Sequence, residues 1–240
     1  MLCLRRCKLK NIAIITARGG SKRIPMKNIK EFMGKPMIAY AIDAAIKSEI
    51  FDEIMVSTED LKIAEIAKKY GAKVPFLRSE KTANDFATTE DVLNEVINEY
   101  KKLGIEFDNI CCIYPCVPLL TPKTLKEAYE VFINSKQEAL MPVVRFSFPI
   151  QRAVILNKYG YLEFREPQYE KTRSQDLEPA FHDVGMFYFY KKNKINTKKT
   201  AMYEMEEKYI QDIDTVKDWE LAELKYKLFY EHEQLHHNTY

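Results

Sequence analysis

The chain predicts an α/β fold, a doubly wound and mostly parallel sheet, and three observations carry that prediction. Apolar strand-like runs alternate with amphipathic helical segments through the first half. The first such run, Ile12–Ala17, feeds directly into a loop containing Gly19 and Gly20. The rhythm then breaks between Arg145 and Tyr190, which marks an antiparallel excursion from the same sheet.

In chain order, Ile12–Ala17 reads as a buried strand. Pro36–Ser48 reads as a helix, with proline at a permitted first-turn position and Ile38, Ile42, Ala45 and Ile46 at helical spacing. Glu53–Ser57 is the next strand, and Leu61–Tyr70 a helix stopped by Gly71. Lys73–Leu77 is expected as a strand and Thr89–Leu103 as a helix whose Val92, Leu93, Val96 and Ile97 share a face. Ile110–Tyr114, helix Pro122–Ile133 and strand Ala139–Val144 complete the alternating part. The following segment mixes aromatics, prolines and charges without helical or strand period, and Met186–Tyr190 returns as a strand. The end of the chain, from Tyr209, is expected as a short strand with Asp212 and Asp214 at its end, followed by a helix from about Val216. Without repeats or a low-complexity linker, residues 11–225 read as one domain carrying an arm at 145–185. Residues 1–10 read as an N-terminal extension and 226–240 as a C-terminal tail.

Composition excludes several classes. With 37 basic and 35 acidic residues the net charge is +2, so there is no global footprint for nucleic acid and any basic site must be local. No apolar run approaches the ~20 residues that span a bilayer, so no membrane partner is expected. MLCLRRCKLK lacks the apolar length of a signal-peptide core. The cysteines are Cys3, Cys7, Cys111, Cys112 and Cys116; adjacent Cys111 and Cys112 point to opposite faces of a strand, which suits neither a disulfide framework nor a zinc site. A reducing cytoplasm is the expected compartment.

The loop after the first strand carries the chemistry. NIAIITARGGSKRIPMKN places Arg18, Lys22, Arg23 and Lys27 beside flexible backbone at the end of a buried strand, an arrangement suited to polyphosphate. It fits neither G-x-x-x-x-G-K-[ST] nor G-x-G-x-x-G, because no glycine follows Gly20 until Gly34. The plain alternative is a solvated basic loop, and the position directly after a buried strand favours phosphate binding. Asp212 and Asp214, spaced i, i+2, would share one face of a strand and so one hard cation such as Mg2+; the alternative is that Asp214 or Thr215 caps the terminal helix.

Several separated motifs then agree. ARGGSKRIPMKN, VSTED at Val56–Asp60, FLRSEKTANDFATTEDV at Phe76–Val92, YPCVP at Tyr114–Pro118 and QDIDT at Gln211–Thr215 together resemble the cytidylyltransferases that activate nonulosonic (sialic-acid-type) sugars, in order from Asn11 to Trp219. The resemblance implies a Rossmann-like nucleotidyltransferase fold, CTP and a nonulosonic acid as substrates, Mg2+ as cofactor and a homodimer. It assigns Arg18, Gly19, Gly20, Ser21, Lys22, Lys27 and Asn28 to the triphosphate, with Arg18 and Lys27 stabilising charge on the reacting phosphate. Arg78, Ala87 and Thr89 match the cytosine-reading segment together with Asn84, although Thr88 or Thr89 also suits an N-cap. Asp212 and Asp214 become metal ligands and Asp214 the candidate general base.

Two positions depart from the sialic-acid branch. Arg23 stands where glycine is common. Tyr114 replaces a glutamine that faces the sugar, which favours a less polar acceptor such as pseudaminic acid, whose terminal carbon is deoxy. Arg173, Gln175, His182 and Asp183, all in the excursion, are expected to contact the sugar's carboxylate and amide groups, although a lone histidine such as His182 more often serves structure. The rivals are another acceptor, of N-acetylneuraminic, legionaminic or Kdo type, and a nucleotide-binding protein of this fold without turnover.

Overall fold

The computed structural model describes residues 10–21 and 23–237, with side chains to residue 229. Lys22 and most of the expected N-terminal extension lie outside the described residues. The elements are β1 (Asn11–Thr16), the hairpin β2 (Glu31–Phe32) and β3 (Lys35–Pro36), α1 (Met37–Ser48), β4 (Glu53–Ser57), α2 (Leu61–Lys69), α3 (Glu80–Ala83) and α4 (Thr89–Lys102). There follow β5 (Asn109–Ile113), α5 (Pro122–Asn134), β6 (Ala139–Arg145), the hairpin β7 (Val154–Leu156) and β8 (Leu162–Phe164), β9 (Phe181–Asp183), β10 (Phe187–Lys191), β11 (Thr200–Glu204) and α6 (Val216–His237).

The main sheet runs β11-β6-β10-β5-β1-β4. β1 pairs in parallel with β4 and with β5, β11 pairs in parallel with β6, and β10 lies antiparallel between β5 and β6. β9 pairs antiparallel with the far end of β6, so β9 and β10 follow one another along one edge of that strand. Five strands therefore point one way and two oppose them, the mostly parallel sheet expected. The chain leaves β1 towards β4 on one side and later returns as β5 on the other, which makes the carboxyl ends of β1 and β5 a topological switch point where a crevice opens.

Alternation along β1 explains the two-sided core. Ala13 and Ile15 face α1, α2 and α5, packing with Ile38, Ile42, Ile63, Leu125 and Phe132. Ile12 and Ile14 face α4, packing with Leu93, Val96 and Tyr100. Cys111 and Cys112 fall into these two opposite clusters, as their adjacency in a strand requires. Each large side chain buried in this way contributes about 1.5–3 kcal/mol. A third cluster joins Phe32 and Tyr40 to Trp219 and Ile213, and so seats the β2–β3 hairpin under the start of α6.

Two expected strands are corrected. Lys73–Leu77 is not a strand: Lys73 makes a single parallel bridge to Met55, and Pro75 has no N–H with which to extend the ladder. Residues 210–215, directly before α6, form no strand: the carbonyls of Ile210 and Ile213 are taken by the ammonium groups of Lys225 and Lys27, at 2.6 Å each, rather than by a neighbouring strand. The excursion is antiparallel, as expected: β7 and β8 pair around a tight turn in which Asn157 accepts from the amides of Tyr159 and Tyr161, and Gly160 takes φ 81°. α6 also runs through most of the expected tail, as far as His237.

Candidate active site

The loop leaving β1 and the 210–214 segment before α6 meet over the switch point and enclose a cleft of about 600 Å³, lined by Arg18, Ser21, Arg23, Lys27, Asp212 and Asp214. Ala17 is still bonded to Ser57 of β4, so the loop starts from a fixed point. Its far end is fixed by Asn28, which is 4 % exposed. The Asn28 side chain donates to the Arg18 carbonyl at 2.7 Å and accepts from Cys116 Sγ at 3.2 Å, so it shapes the loop.

The two glycines differ. A Cβ on Gly19 would sit 2.9 Å from Asp60 Oδ2, and the Gly19 amide donates to Glu59 Oε1 at 2.7 Å; a Cβ on Gly20 would meet nothing within 4 Å. Gly19 is thus required by the approach of the Glu59–Asp60 turn, where Asp60 caps α2 by accepting from the amides of Lys62 and Ile63. Gly20 lies open, as backbone that approaches a ligand must.

Cations and carboxylates interlock across the cleft. Arg18 pairs with Asp85, and Arg23 donates to Asp214 Oδ1 at 2.8 Å. The Lys27 ammonium lies 2.6 Å from the Ile213 carbonyl and 3.7 Å from Asp214 Oδ1. The capping alternative is settled by Thr215 and Asp218: the Asp218 carboxylate accepts from the Thr215 amide at 2.7 Å, and the Asp218 amide donates back to Thr215 Oγ1 at 3.3 Å. Asp214 is left to face the loop cations. Asp212 lines the same cleft, and its carboxylate has no hydrogen-bond partner among the described residues. No group of three or more metal-ligating side chains occurs among the described residues. Two carboxylates in one cation-lined cleft nonetheless fit a hard cation such as Mg2+, for which Asp212 and Asp214 would be the protein ligands.

The expected cytosine segment lies along the rim. Arg78 is buried at the end of β4, donating to Ser57 Oγ at 3.1 Å and to the Ser57 carbonyl at 2.7 Å. Burial lowers its pKa, opposed by the negative charges of Glu59 and Glu95. The amides of Phe86 and Ala87 are held by Asn84 Oδ1. Thr88, not Thr89, caps α4, in a reciprocal box with Asp91. The Thr89 hydroxyl is left 3.2 Å from the Tyr114 hydroxyl.

Tyr114, at the end of β5, divides this cleft from a second cavity of about 550 Å³ lined also by His182, Asp183, Tyr188, Asp212 and Lys225. Its ring packs edge-on against Tyr188, whose hydroxyl donates to both oxygens of Asp183 at 2.9 and 2.7 Å. Burial raises the Tyr114 pKa, opposed by the hydrogen bond with Thr89. Arg173 and Gln175 line neither cavity; Arg173 is exposed in the arm and pairs with Asp176 at 3.0 Å. Sequence reasoning left out Glu59, Asp85, Tyr188 and Lys225. Glu59 and Asp85 stood inside quoted motifs, but nothing local marked Tyr188 or Lys225, which only the tertiary fold brings to the site.

An α/β sheet with a cation-rich loop and paired carboxylates at its switch point defines a nucleotide-binding enzyme of the nucleotidyltransferase class. The chain belongs to the cytidylyltransferase family, which it matches over residues 12–238. It is 41% identical to a pseudaminic acid cytidylyltransferase of Campylobacter jejuni subsp. jejuni serotype O:2 over 93% of this chain and 99% of that protein. It is 32% identical to a CMP-N,N'-diacetyllegionaminic acid synthase of Legionella pneumophila over 90% of this chain and 95% of that one. Among solved structures, a CMP:2-keto-3-deoxy-manno-octonic acid synthetase complexed with CTP superposes with a TM-score of 0.67 at 20% identity, covering 92% of this chain and 99% of that one, a likeness of fold.

Proposed function

We propose that this enzyme transfers CMP from CTP to the anomeric hydroxyl of a nonulosonic acid, with pseudaminic acid as the acceptor, and releases pyrophosphate. The observation that carries the reading is the convergence of Arg23, Lys27, Asp212 and Asp214 in one cleft that opens, past Tyr114, into a second cavity of sugar size. The 41% identity to a near full-length pseudaminic acid cytidylyltransferase supports the acceptor.

In this reading the triphosphate occupies the loop cleft, with Gly20 and Ser21 approaching its oxygens and Arg18 and Lys27 taking up charge as pyrophosphate leaves. Lys22 belongs to the same loop by sequence. The sugar oxygen attacks the α-phosphorus in line; catalysis is mostly positioning and charge stabilisation. Asp214 accepts the hydroxyl proton, and its contacts with Arg23 and Lys27 keep the carboxylate in place. Asp212 and Asp214 would hold Mg2+, which when bound would neutralise charge on the phosphates. Arg78, Ala87 and Thr89 face the base. Tyr114 offers the sugar an aromatic wall, suited to deoxy and C–H surface.

Arg173 and Gln175 reach a sugar only across a subunit boundary, and β7–β8 with its flanks exposes Phe148, Leu156 and Leu162 at 70% or more. A homodimer, in which the arm of one protomer covers the other, accounts for both. Cys111, Cys112 and Cys116 are free thiols, and no helix among the described residues is long and apolar enough to cross a membrane, which supports a cytoplasmic enzyme. Pyrophosphate release with purified protein, CTP, Mg2+ and pseudaminic acid tests the reading. Turnover with N-acetylneuraminic, legionaminic or Kdo-type acids instead reassigns the acceptor, and none with any acid sinks the enzyme reading.

A further inference from the structure

In a nonulosonic acid the anomeric carbon bears both the attacking hydroxyl and the carboxylate. Whatever places that hydroxyl at the α-phosphate therefore also brings a second anion beside the phosphates and the aspartates. A cation in the acceptor cavity close to Asp212, beside any supplied by the partner subunit's arm, would offset that repulsion.

The cations of the loop do not fill this role. Arg18, Arg23 and Lys27 line the phosphate cleft and are engaged with Asp85, Asp214 and the Ile213 carbonyl. Within its own chain Arg173 is bound to Asp176 and lines neither cavity. The basic side chains on the acceptor cavity are His182 and Lys225. His182 is exposed, with Nδ1 3.0 Å from the Asp183 carbonyl and its ring against Phe146. Lys225 rises from α6 and is half-buried, its ammonium held by the Ile210 carbonyl at 2.6 Å and more loosely by that of Glu207 at 3.4 Å. An ammonium has three N–H donors, so one remains for the cavity. Ile210 stands two residues before Asp212, so this contact fixes the cation relative to the proposed metal ligand. Burial lowers the Lys225 pKa, opposed in part by the Glu207 carboxylate on the same cavity, and an incoming carboxylate would oppose it further.

We propose that Lys225 is the acceptor-specificity residue that binds the sugar-acid carboxylate, an assignment resting on the CMP-transfer reading above. The test compares wild type, Lys225→Gln and Lys225→Arg on pseudaminic acid and on its methyl ester, with steady-state kinetics in both substrates. Glutamine keeps a donor for the Ile210 carbonyl and removes the charge. The expected result is a rise in KM for the acid of about ten- to a hundredfold in Lys225→Gln, the range of a lost charge-assisted hydrogen bond. KM for CTP stays unchanged, the preference for acid over ester collapses, and Lys225→Arg recovers much of that preference. If Lys225→Gln instead lowers kcat on acid and ester alike, or raises KM for CTP with the acid preference intact, Lys225 merely braces the 210–214 segment and the proposal is overturned. A wild type that turns over no nonulosonic acid defeats the CMP-transfer reading itself, an outcome separate from either result.

Discussion

Replacing Lys27 by methionine removes one charge from the middle of the cleft and keeps the aliphatic stem. The ammonium makes a 2.6 Å bond to the Ile213 carbonyl and lies 3.7 Å from Asp214 Oδ1, with its side chain 22% exposed. Two losses follow. The ground-state loss is one charge-assisted hydrogen bond, about 1.5–3 kcal/mol at most, reduced because water reaches the partly exposed site. The transition-state loss is a positive group facing the leaving pyrophosphate, about 3 kcal/mol, which at 1.36 kcal/mol per decade is a fall in kcat on the order of a hundredfold. The assay is pyrophosphate release at saturating CTP and sugar, beside a thermal melt on the same preparation. A Tm drop of a few degrees with kcat down about a hundredfold is expected. A variant that melts far lower but retains wild-type kcat per folded molecule would refute the catalytic role and leave Lys27 as a clamp on the 213 carbonyl.

Further outcomes are expected elsewhere. Gly19→Ala should cost about 1–3 kcal/mol by collision with the α2-capping Asp60, whereas Gly20→Ala should melt like wild type; equal Tm values for the two variants would contradict the geometry. Asp212→Asn should weaken Mg2+ dependence so that higher metal restores activity only in part; an unchanged metal titration would remove it as a ligand. The carboxyls of Asp91 and Asp218 are held below the usual range chiefly by the hydroxyls of Thr88 and Thr215. Folded-state pKa values below the unfolded ones mean that this stability is present above the ordinary carboxylate range and is lost as pH falls through the folded values. Asp91→Asn should therefore flatten the acid limb of Tm against pH, and an identical limb would refute this. Phe148→Asp should yield monomers by light scattering with weakened sugar use and CTP binding kept; an unchanged mass would exclude the arm as the dimer contact.

Local features with strong periods were legible in the sequence. The buried alternation of β1, the apolar faces of α1, α4 and α5, and the cation-rich loop all announce themselves within a dozen residues. What escaped was set by distant partners. Lys73 looked like the start of a strand until Pro75 limited it to one bridge, and the 210–214 segment looked like a strand because its aspartates alternate, whereas lysines from the loop and from α6 occupy its carbonyls. Thr88 and Thr89 were indistinguishable as caps until the helix geometry gave the cap to Thr88 and left the Thr89 hydroxyl for Tyr114. Lys225 is far along the chain from the loop, and only the packing of α6 against the 207–210 turn carries it to the second cavity.

The central claim is that the sugar's anomeric oxygen attacks the α-phosphorus of CTP in the cleft between the loop and Asp214. Pseudaminic acid labelled with heavy oxygen at the anomeric hydroxyl, incubated with the protein, CTP and Mg2+, tests it by mass spectrometry of both products. The account predicts that the label is carried whole into the CMP-sugar, with unlabelled pyrophosphate in equal amount. Unlabelled CMP-sugar, label in pyrophosphate, or no CMP-sugar at all would contradict it.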